Sequence, residues 1–130
     1  PAFINARVDN WMVGGADAEA LFDDAVRRAR AYLDAGADGI YPIALADPDT
    51  IRRFCAAVSA PVNVGARAGL PDLAALGRLG VARVSTATRL AMVALAAARE
   101  AAQSVRDSGR FDGLDARMSY DALQQMFPLS

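Results

Sequence analysis

Short apolar segments alternate regularly with longer amphipathic stretches along the chain. Four segments show the strand pattern, in which successive side chains face opposite sides of a sheet: 3–8, 39–43, 61–65 and 81–85. The stretches after them carry apolar residues every three or four positions, as on one face of a helix. This order predicts an α/β fold with parallel strands that are adjacent in chain order and joined by right-handed crossovers.

Polar caps, prolines and glycines set the predicted helix limits. The expected helices cover 18–34 after the cap Asp17, a segment from Asp47-Pro48, a short one after Pro71, about 87–108 before Gly109, and 120–126 after Ser119. We therefore expect four βα units over residues 1–109, followed by a turn and a terminal helix over residues 110–130.

The first strand has one apolar and one polar face. Ile4, Ala6 and Val8 alternate with Asn5, Arg7 and Asp9, which fits either an edge strand facing water or the lining of a polar cavity. The third strand alternates in the same way, with Asn63 and Gly65 on one face. The fourth strand does so too, with Arg83 and Ser85 on one face. A sheet covered by helices on both sides would be apolar on both faces. The pattern thus favours half of a (β/α)8 barrel over an open doubly wound sheet.

Composition narrows the class of protein. The chain has 130 residues, a net charge of -1 and 54% hydrophobic residues, which suits one globular domain and argues against nucleic acid as a partner. No apolar run is long enough to span a membrane. The single Cys55 cannot form an internal disulfide, predicts a cytoplasmic protein, and lies on an apolar helix stripe typical of a core residue.

The chain contains no histidine and no lysine, and all 14 basic residues are arginine. Histidine bases, histidine metal ligands and lysine Schiff bases are therefore excluded within this chain. Its chemistry must use Arg, Asp, Glu, Ser, Thr, Tyr, Asn or Cys55.

Several motifs resemble one family when taken together and in order. They are Ile4-Asn5-Ala6-Arg7-Val8-Asp9, Ala35-Gly36-Ala37-Asp38-Gly39-Ile40, Pro61-Val62-Asn63-Val64, Leu79-Gly80-Val81-Ala82-Arg83-Val84-Ser85 and the tail from Ser119 to Phe127. The chain resembles the isocitrate lyase/phosphoenolpyruvate mutase superfamily, particularly its phosphonomutase-like members. The resemblance covers only the second half of that family's TIM-type barrel, plus a C-terminal helix.

The resemblance implies a Mg²⁺-dependent lyase or mutase that cleaves or forms C–C or P–C bonds in small oxo-acids. The acidic residues that hold Mg²⁺ and the mobile catalytic loop would belong to the first half of the barrel, so no catalytic residue or metal ligand is assigned here. The implied partners are a small anionic oxo-acid, a missing N-terminal half or second chain, and further copies in a homo-oligomer.

The resemblance also implies five substrate-binding residues: Arg7, Asp9, Asn63, Ser85 and Thr86. Arg7 would grip a carboxylate or phosphonate with two hydrogen bonds, or it pairs only with Asp9 or another acid. Asp9 would orient Arg7, or is structural. Asn63 would bind a substrate carboxylate, or satisfies backbone groups. Ser85 and Thr86 would place a hydroxyl near the substrate, unless Thr86 merely caps the next helix.

Other residues receive less definite roles. Arg83 lies nearer the start of its strand and is expected to be structural, whereas Arg67 could meet an anionic substrate or remain solvated. Trp11 is expected to pack in the loop after the first strand. The substrate stays open, because no carboxylate occurs within residues 41–45, where some lyases of the family use a glutamate.

Two other functional classes compete with an enzyme segment. One is a non-catalytic half-barrel that persists by pairing with another chain. The other is a flavodoxin-like binding domain, which would need a phosphate-cradling turn after the first strand, and Gly14-Gly15 alone supports such a turn poorly.

Overall fold

The computed structural model describes residues 2–15, 17–114 and 118–127. In chain order the elements are β1 (Asn5–Val8), α1 (Asn10–Val13), α2 (Ala18–Asp34), β2 (Gly39–Pro42), α3 (Pro48–Ala57), β3 (Val62–Gly65), α4 (Leu73–Arg78), β4 (Val81–Ser85), α5 (Arg89–Ser108), a 3-10 turn (Asp112–Leu114) and α6 (Tyr120–Gln125). The predicted alternation of strands and helices is confirmed, with α1 as an unpredicted addition.

The four strands form one parallel sheet in the order β1-β2-β3-β4. A flavodoxin-like sheet would place its first strand between the second and the third, so that alternative is wrong. Within the described residues, β1 and β4 each pair on one side only.

The ladder between β3 and β4 contains one irregularity. Val62 pairs with Val81, whereas Asn63 pairs with Arg83, so Ala82 is an extra residue in β4. Such a β-bulge re-aims the side chains that follow it, and here it places Arg83 opposite Asn63.

The chain divides into two compact units, Pro1–Ala87 and Thr88–Ser130. The first contains the sheet with α1 to α4, and the second contains α5, the 3-10 turn and α6. None of the described helices is long and apolar enough to cross a membrane.

The core of the first unit lies between one face of the sheet and its helices. Its largest buried side chains come from β1, β2 and β3, from α3 and α4, and from the loop after β2: Val8, Ile40, Pro42, Leu45, Ile51, Phe54, Val62, Val64 and Leu76. One face of α2 packs there too, since Phe22, Ala25, Val26 and Ala29 are buried. The two alanines let α2 approach the sheet closely, whereas Tyr32 on the same helix is 36% exposed.

Three acidic caps hold the helices of this unit. Asp17 accepts hydrogen bonds from the backbone N–H groups of Glu19 and Ala20, Asp47 accepts from Thr50, and Asp72 accepts from Ala75. Each satisfies a donor that the first turn of a helix leaves unpaired.

Two side chains differ from the predicted core. Cys55 is half-buried rather than fully buried, and burial raises the pKa of its thiol. Ile4 is 54% exposed and lies outside β1, which begins at Asn5, two residues later than predicted.

Trp11 lies in α1 and packs edge-on against Phe54, with ring centroids 5.5 Å apart and an interplanar angle of 87°. The indole therefore packs just after β1, as predicted, but in a short helix rather than a loop, and it links α1 to the core.

Candidate functional site

The face of the sheet opposite the core carries a row of polar side chains. We call this the polar face and define it by Asn5, Arg7, Tyr41, Asn63, Arg83 and Ser85. Register places these residues together, since Arg7 pairs with Tyr41 in β2, and Asn63 pairs with Arg83 in β4. All four strands therefore contribute a polar side chain to one surface.

Asn63 is the residue of this surface whose side chain is both buried and held by a hydrogen bond. Its side chain is 3% exposed and is the one buried polar side chain of the described residues. The Ser85 hydroxyl donates a hydrogen bond to its Oδ1 over 3.0 Å, so the described hydrogen bond of Asn63 runs to a side chain and not to backbone. A buried amide held in this way has a defined orientation, with its Nδ2 donors directed away from Ser85.

Arg7 and Asp9 form an ion pair at the end of β1. Arg7 Nε donates to Asp9 Oδ1 over 2.5 Å, and both side chains are 51% exposed. Arg7 Nη2 also contacts Met12 Sδ at 3.2 Å. An exposed pair of this kind adds little stability. The contact itself fits both sequence interpretations, a simple ion pair and a carboxylate that orients the guanidinium.

The remaining predicted residues lie near the carboxyl ends of β3 and β4. Thr86 directly follows β4 and is exposed. The N-cap of α5 is Thr88, without a side-chain cap hydrogen bond, so the interpretation of Thr86 as that cap is wrong. Arg83 is exposed on the polar face beside Asn63.

Arg67 joins two loops that the sequence did not connect. Its Nη1 donates to the backbone oxygen of Ala44 over 3.1 Å, which ties the β3–α4 loop to the β2–α3 loop. Ala44 has a φ of 65°, a left-handed conformation that is uncommon for alanine. No sequence signal predicted this contact, because it joins residues 23 positions apart.

A separate open cavity of about 430 Å³ lies between α1 and the start of α2, lined among others by Asn10, Asp17, Asp24 and Arg28. Hydrogen bonds from Arg28, Asn10 and Arg27 hold the pKa of Asp24 well below its usual range. Arg28 Nε lies 2.6 Å and Asn10 Nδ2 lies 2.8 Å from Asp24 Oδ2. This carboxylate therefore already accepts hydrogen bonds from three side chains, and the one from Asn10 joins α1 to α2.

The described residues do not build a metal centre by themselves. No group of three or more His, Cys, Asp or Glu side chains among them is arranged to hold a metal ion. Asp9, at the end of β1, is paired with Arg7.

Comparison with known proteins gives a consistent family. A sequence model of the phosphoenolpyruvate phosphomutase family matches residues 1–106. An uncharacterised protein of Mycobacterium tuberculosis is 42% identical over 106 residues, covering 81% of this chain and 39% of that protein. A 2-methylisocitrate lyase of Aeropyrum pernix is 41% identical over 63 residues, covering 47% of this chain and 20% of the lyase. The chain thus spans less than half the length of these curated relatives.

Solved structures show the same partial overlap. A provisionally assigned lyase/mutase of Burkholderia cenocepacia matches with a TM-score of 0.85 and 37% identity, covering 99% of this chain and 46% of that one. A phosphonopyruvate hydrolase, solved in complex with oxalate and Mg²⁺, matches with a TM-score of 0.68 and 26% identity, covering 93% of this chain and 43% of that one. The predicted fold is confirmed: four parallel βα units that make up half of a barrel.

Proposed function

We propose, because the chain belongs to the phosphoenolpyruvate phosphomutase family, that it forms the second half of the active site of a Mg²⁺-dependent lyase or phosphonomutase-like enzyme. The complete enzyme would cleave or form a C–C or P–C bond in a small oxo-acid. The polar face of the sheet would bind the anionic substrate, and homo-oligomerisation belongs to the same proposal.

One observation carries this proposal: the amide of Asn63 is buried and oriented by Ser85 on the same face of the sheet as Arg7. Burying an amide is unfavourable unless its hydrogen bonds are made. Oδ1 is occupied by the Ser85 hydroxyl, so the Nδ2 group is the part of Asn63 that can donate to a ligand. An oriented amide donor beside a guanidinium suits a carboxylate or phosphonate.

Each proposed residue then has a distinct task. Arg7 would bind the anionic group through its planar guanidinium, which matches a carboxylate with two parallel hydrogen bonds. Asp9 would orient Arg7 through the Nε contact, and Asn63 would donate from Nδ2. Ser85 would hold Asn63 in place, and Thr86 would offer a hydroxyl at the carboxyl end of β4, where barrel enzymes bind substrate.

In this proposal, the residues that bind the metal lie outside the described part of this chain. Mg²⁺ would supply a positive charge that stabilises developing negative charge on the substrate. The described residues of this chain do not form its ligand set, so its ligands and the catalytic residue would come from the missing half or a second chain.

The test is oxalate binding by the complete protein in the presence of Mg²⁺, measured by calorimetry. Oxalate is chosen because the phosphonopyruvate hydrolase neighbour was solved with it. Arg7→Lys should weaken binding by well over tenfold, since loss of two-point recognition of an anion removes about 1.5–3 kcal/mol. The melting temperature should barely change, because Arg7 is half exposed.

Arg52→Lys is the matched control. Arg52 lies on α3, is exposed, and approaches Asp49 only to 3.7 Å, so its replacement should leave oxalate binding unchanged. Equal oxalate affinity of the unsubstituted protein and Arg7→Lys would contradict the assignment of Arg7.

A non-catalytic half-barrel is the second candidate. The chain covers only 39% of the Mycobacterium tuberculosis relative and 46% of the Burkholderia cenocepacia structure, which fits a piece that needs a partner. The intact mass of the native protein and its upstream coding sequence would distinguish the two, because an enzyme requires the half that binds the metal.

A further inference from the structure

Tyr41 leans along the polar face toward the carboxyl ends of the strands. Ile40 pairs with Val62, so Tyr41 stands beside Asn63, on the same face. A Cβ atom built on Gly65, two residues further along β3, would lie 2.9 Å from Tyr41 Oη. The phenol therefore crosses from β2 onto β3 and brings its hydroxyl to the end of the sheet where barrel enzymes bind substrate.

Gly65 is what makes room for this hydroxyl. The same Cβ atom would lie 3.7 Å from two carbons of the Tyr41 ring, so the closest approach is made by the oxygen itself. Gly65 pairs with Ser85 across the β3–β4 ladder. The Tyr41 hydroxyl thus lies next to the strand pair that carries the Asn63–Ser85 hydrogen bond.

The hydroxyl is open to a ligand. The side-chain hydrogen bonds near it on the polar face join Ser85 to Asn63 and Arg7 to Asp9, and neither uses Tyr41. No buried side-chain oxygen or nitrogen of the described residues lacks a partner, and Tyr41 is half-buried. A hydroxyl outside these bonds is therefore not fully enclosed by the protein and keeps its capacity to donate to a ligand.

We propose that Tyr41 is a further substrate-binding residue whose phenol donates a hydrogen bond to an anionic oxygen of the oxo-acid held by Arg7 and Asn63. This inference rests on the proposed function and extends it by a third donor, so that β1, β2 and β3 each supply one. Three fixed donors on neighbouring strands define a planar anion with several oxygens as the class of substrate.

The direct test is Tyr41→Phe in the complete protein, with oxalate and Mg²⁺ as the probe. The substitution keeps the ring and removes only the hydroxyl, so the fold should be preserved. Loss of one hydrogen bond to a charged ligand should weaken oxalate binding by about ten- to hundredfold. Tyr32→Phe is the matched control, because Tyr32 lies on α2, away from the polar face, and should leave binding unchanged.

Gly65→Ala provides an independent variant. Its methyl group would meet Tyr41 Oη at 2.9 Å and must displace the hydroxyl, so oxalate binding should weaken although Tyr41 is intact. In the double variant with Tyr41→Phe the two losses should not add, because both remove the same hydrogen bond.

The outcomes separate this inference from the function on which it rests. Unchanged oxalate affinity in Tyr41→Phe, together with weakened binding in Arg7→Lys, overturns the role of Tyr41 alone. Equal losses in Tyr41→Phe and Tyr32→Phe overturn it as well. Failure of the unsubstituted protein to bind oxalate with Mg²⁺ overturns both the inference and the proposed function.

Discussion

Gly77 and Gly80 lie three residues apart but have different surroundings. Gly80 has a φ of 94°, and a Cβ atom there would lie 2.9 Å from Cys55 Cβ. Gly77 is inside α4, and a Cβ atom on it would meet nothing within 4 Å. Glycine is therefore required at position 80 for both backbone conformation and space, and at position 77 for neither.

Alanine substitutions should therefore act in opposite directions. Gly80→Ala should lower the free energy of unfolding by about 1–3 kcal/mol, because it adds a left-handed alanine and forces Cys55 to move. Gly77→Ala should raise it by about 0.5–1 kcal/mol through helix propensity. Chemical denaturation of the two variants measures both changes, and similar values for both would contradict this interpretation.

The face of the sheet on which a residue lies was easier to predict than the contacts that its side chain makes. Asn63 and Ser85 could be assigned to one face from strand alternation alone. Their hydrogen bond depends on the extra residue Ala82 in β4, and no local pattern indicates a bulge. Tyr41 was not assigned a role, because its reach over Gly65 is visible only once the two strands are in register.

At the scale of elements, one ion pair connects α2 to α3. Arg53 donates to both carboxylate oxygens of Glu19, over 2.8 and 2.6 Å. Its guanidinium carbon also lies 4.3 Å from the centre of the Phe22 ring. The two helices are thus joined by a two-point salt bridge that also covers a core aromatic residue.

This pair predicts a pH-dependent contribution to stability. The hydrogen bond from Arg53 lowers the pKa of Glu19 below its ordinary value of 4.5. A lowered carboxyl pKa stabilises the fold above the unfolded pKa, and that contribution is lost as the pH falls through the folded value. Glu19→Gln should therefore be less stable than the unsubstituted protein near neutral pH. The difference should shrink as the pH falls below the ordinary carboxyl pKa and disappear once the pH is below the lowered pKa of the folded state.

Thermal unfolding over this pH range measures the effect. It should be small and salt-sensitive, because the Glu19 side chain is 67% exposed. Glu100→Gln is the control, since Glu100 lies on α5 and forms no salt bridge with another described residue. A Glu19→Gln difference that persists unchanged in acid would rule out the ion pair as its source.

Several helix ends lie where capping residues and glycine predicted them. Asp17, Asp47 and Ser119 were predicted as caps from sequence and each accepts a backbone hydrogen bond in its first turn. Gly109 ends α5 with a left-handed φ of 68°, as predicted. The four-residue α1 lacks any side-chain cap and is too short for a helical period, so no pattern indicated it.

At the scale of the whole molecule, the sheet has two open edges. Among the described residues β1 and β4 each lack a second neighbour, whereas a closed barrel has none exposed. The N–H and C=O groups along an open edge can pair with a strand of another chain, so such edges favour association.

The isolated 130-residue chain should therefore be neither a stable monomer nor an active enzyme. We expect it to self-associate in sedimentation velocity and to show no Mg²⁺-dependent turnover of an oxo-acid, while the complete protein does turn one over. A soluble, well-folded monomer that catalyses the reaction would contradict this prediction.

The fold class was predictable because strands and helices alternate along the chain and three of the four strands carry one apolar and one polar face. Strands such as Pro61–Gly65 repeat an apolar face and a polar face, and repetition compensates for the ambiguity of each short segment. The edges of β1 and β4 carry no such repeated signal, and the expectation of a missing half or second chain beside them came from the family resemblance alone.

The packing of Trp11 gives the molecule an internal optical probe. Trp11 is the only tryptophan in the chain, and it contacts Phe54 within the first unit. Its fluorescence therefore reports melting of the sheet and its helices alone. Far-ultraviolet ellipticity, in contrast, includes the 20 residues of α5 in the second unit. Following both signals in one titration would reveal whether the two units unfold in concert or in sequence.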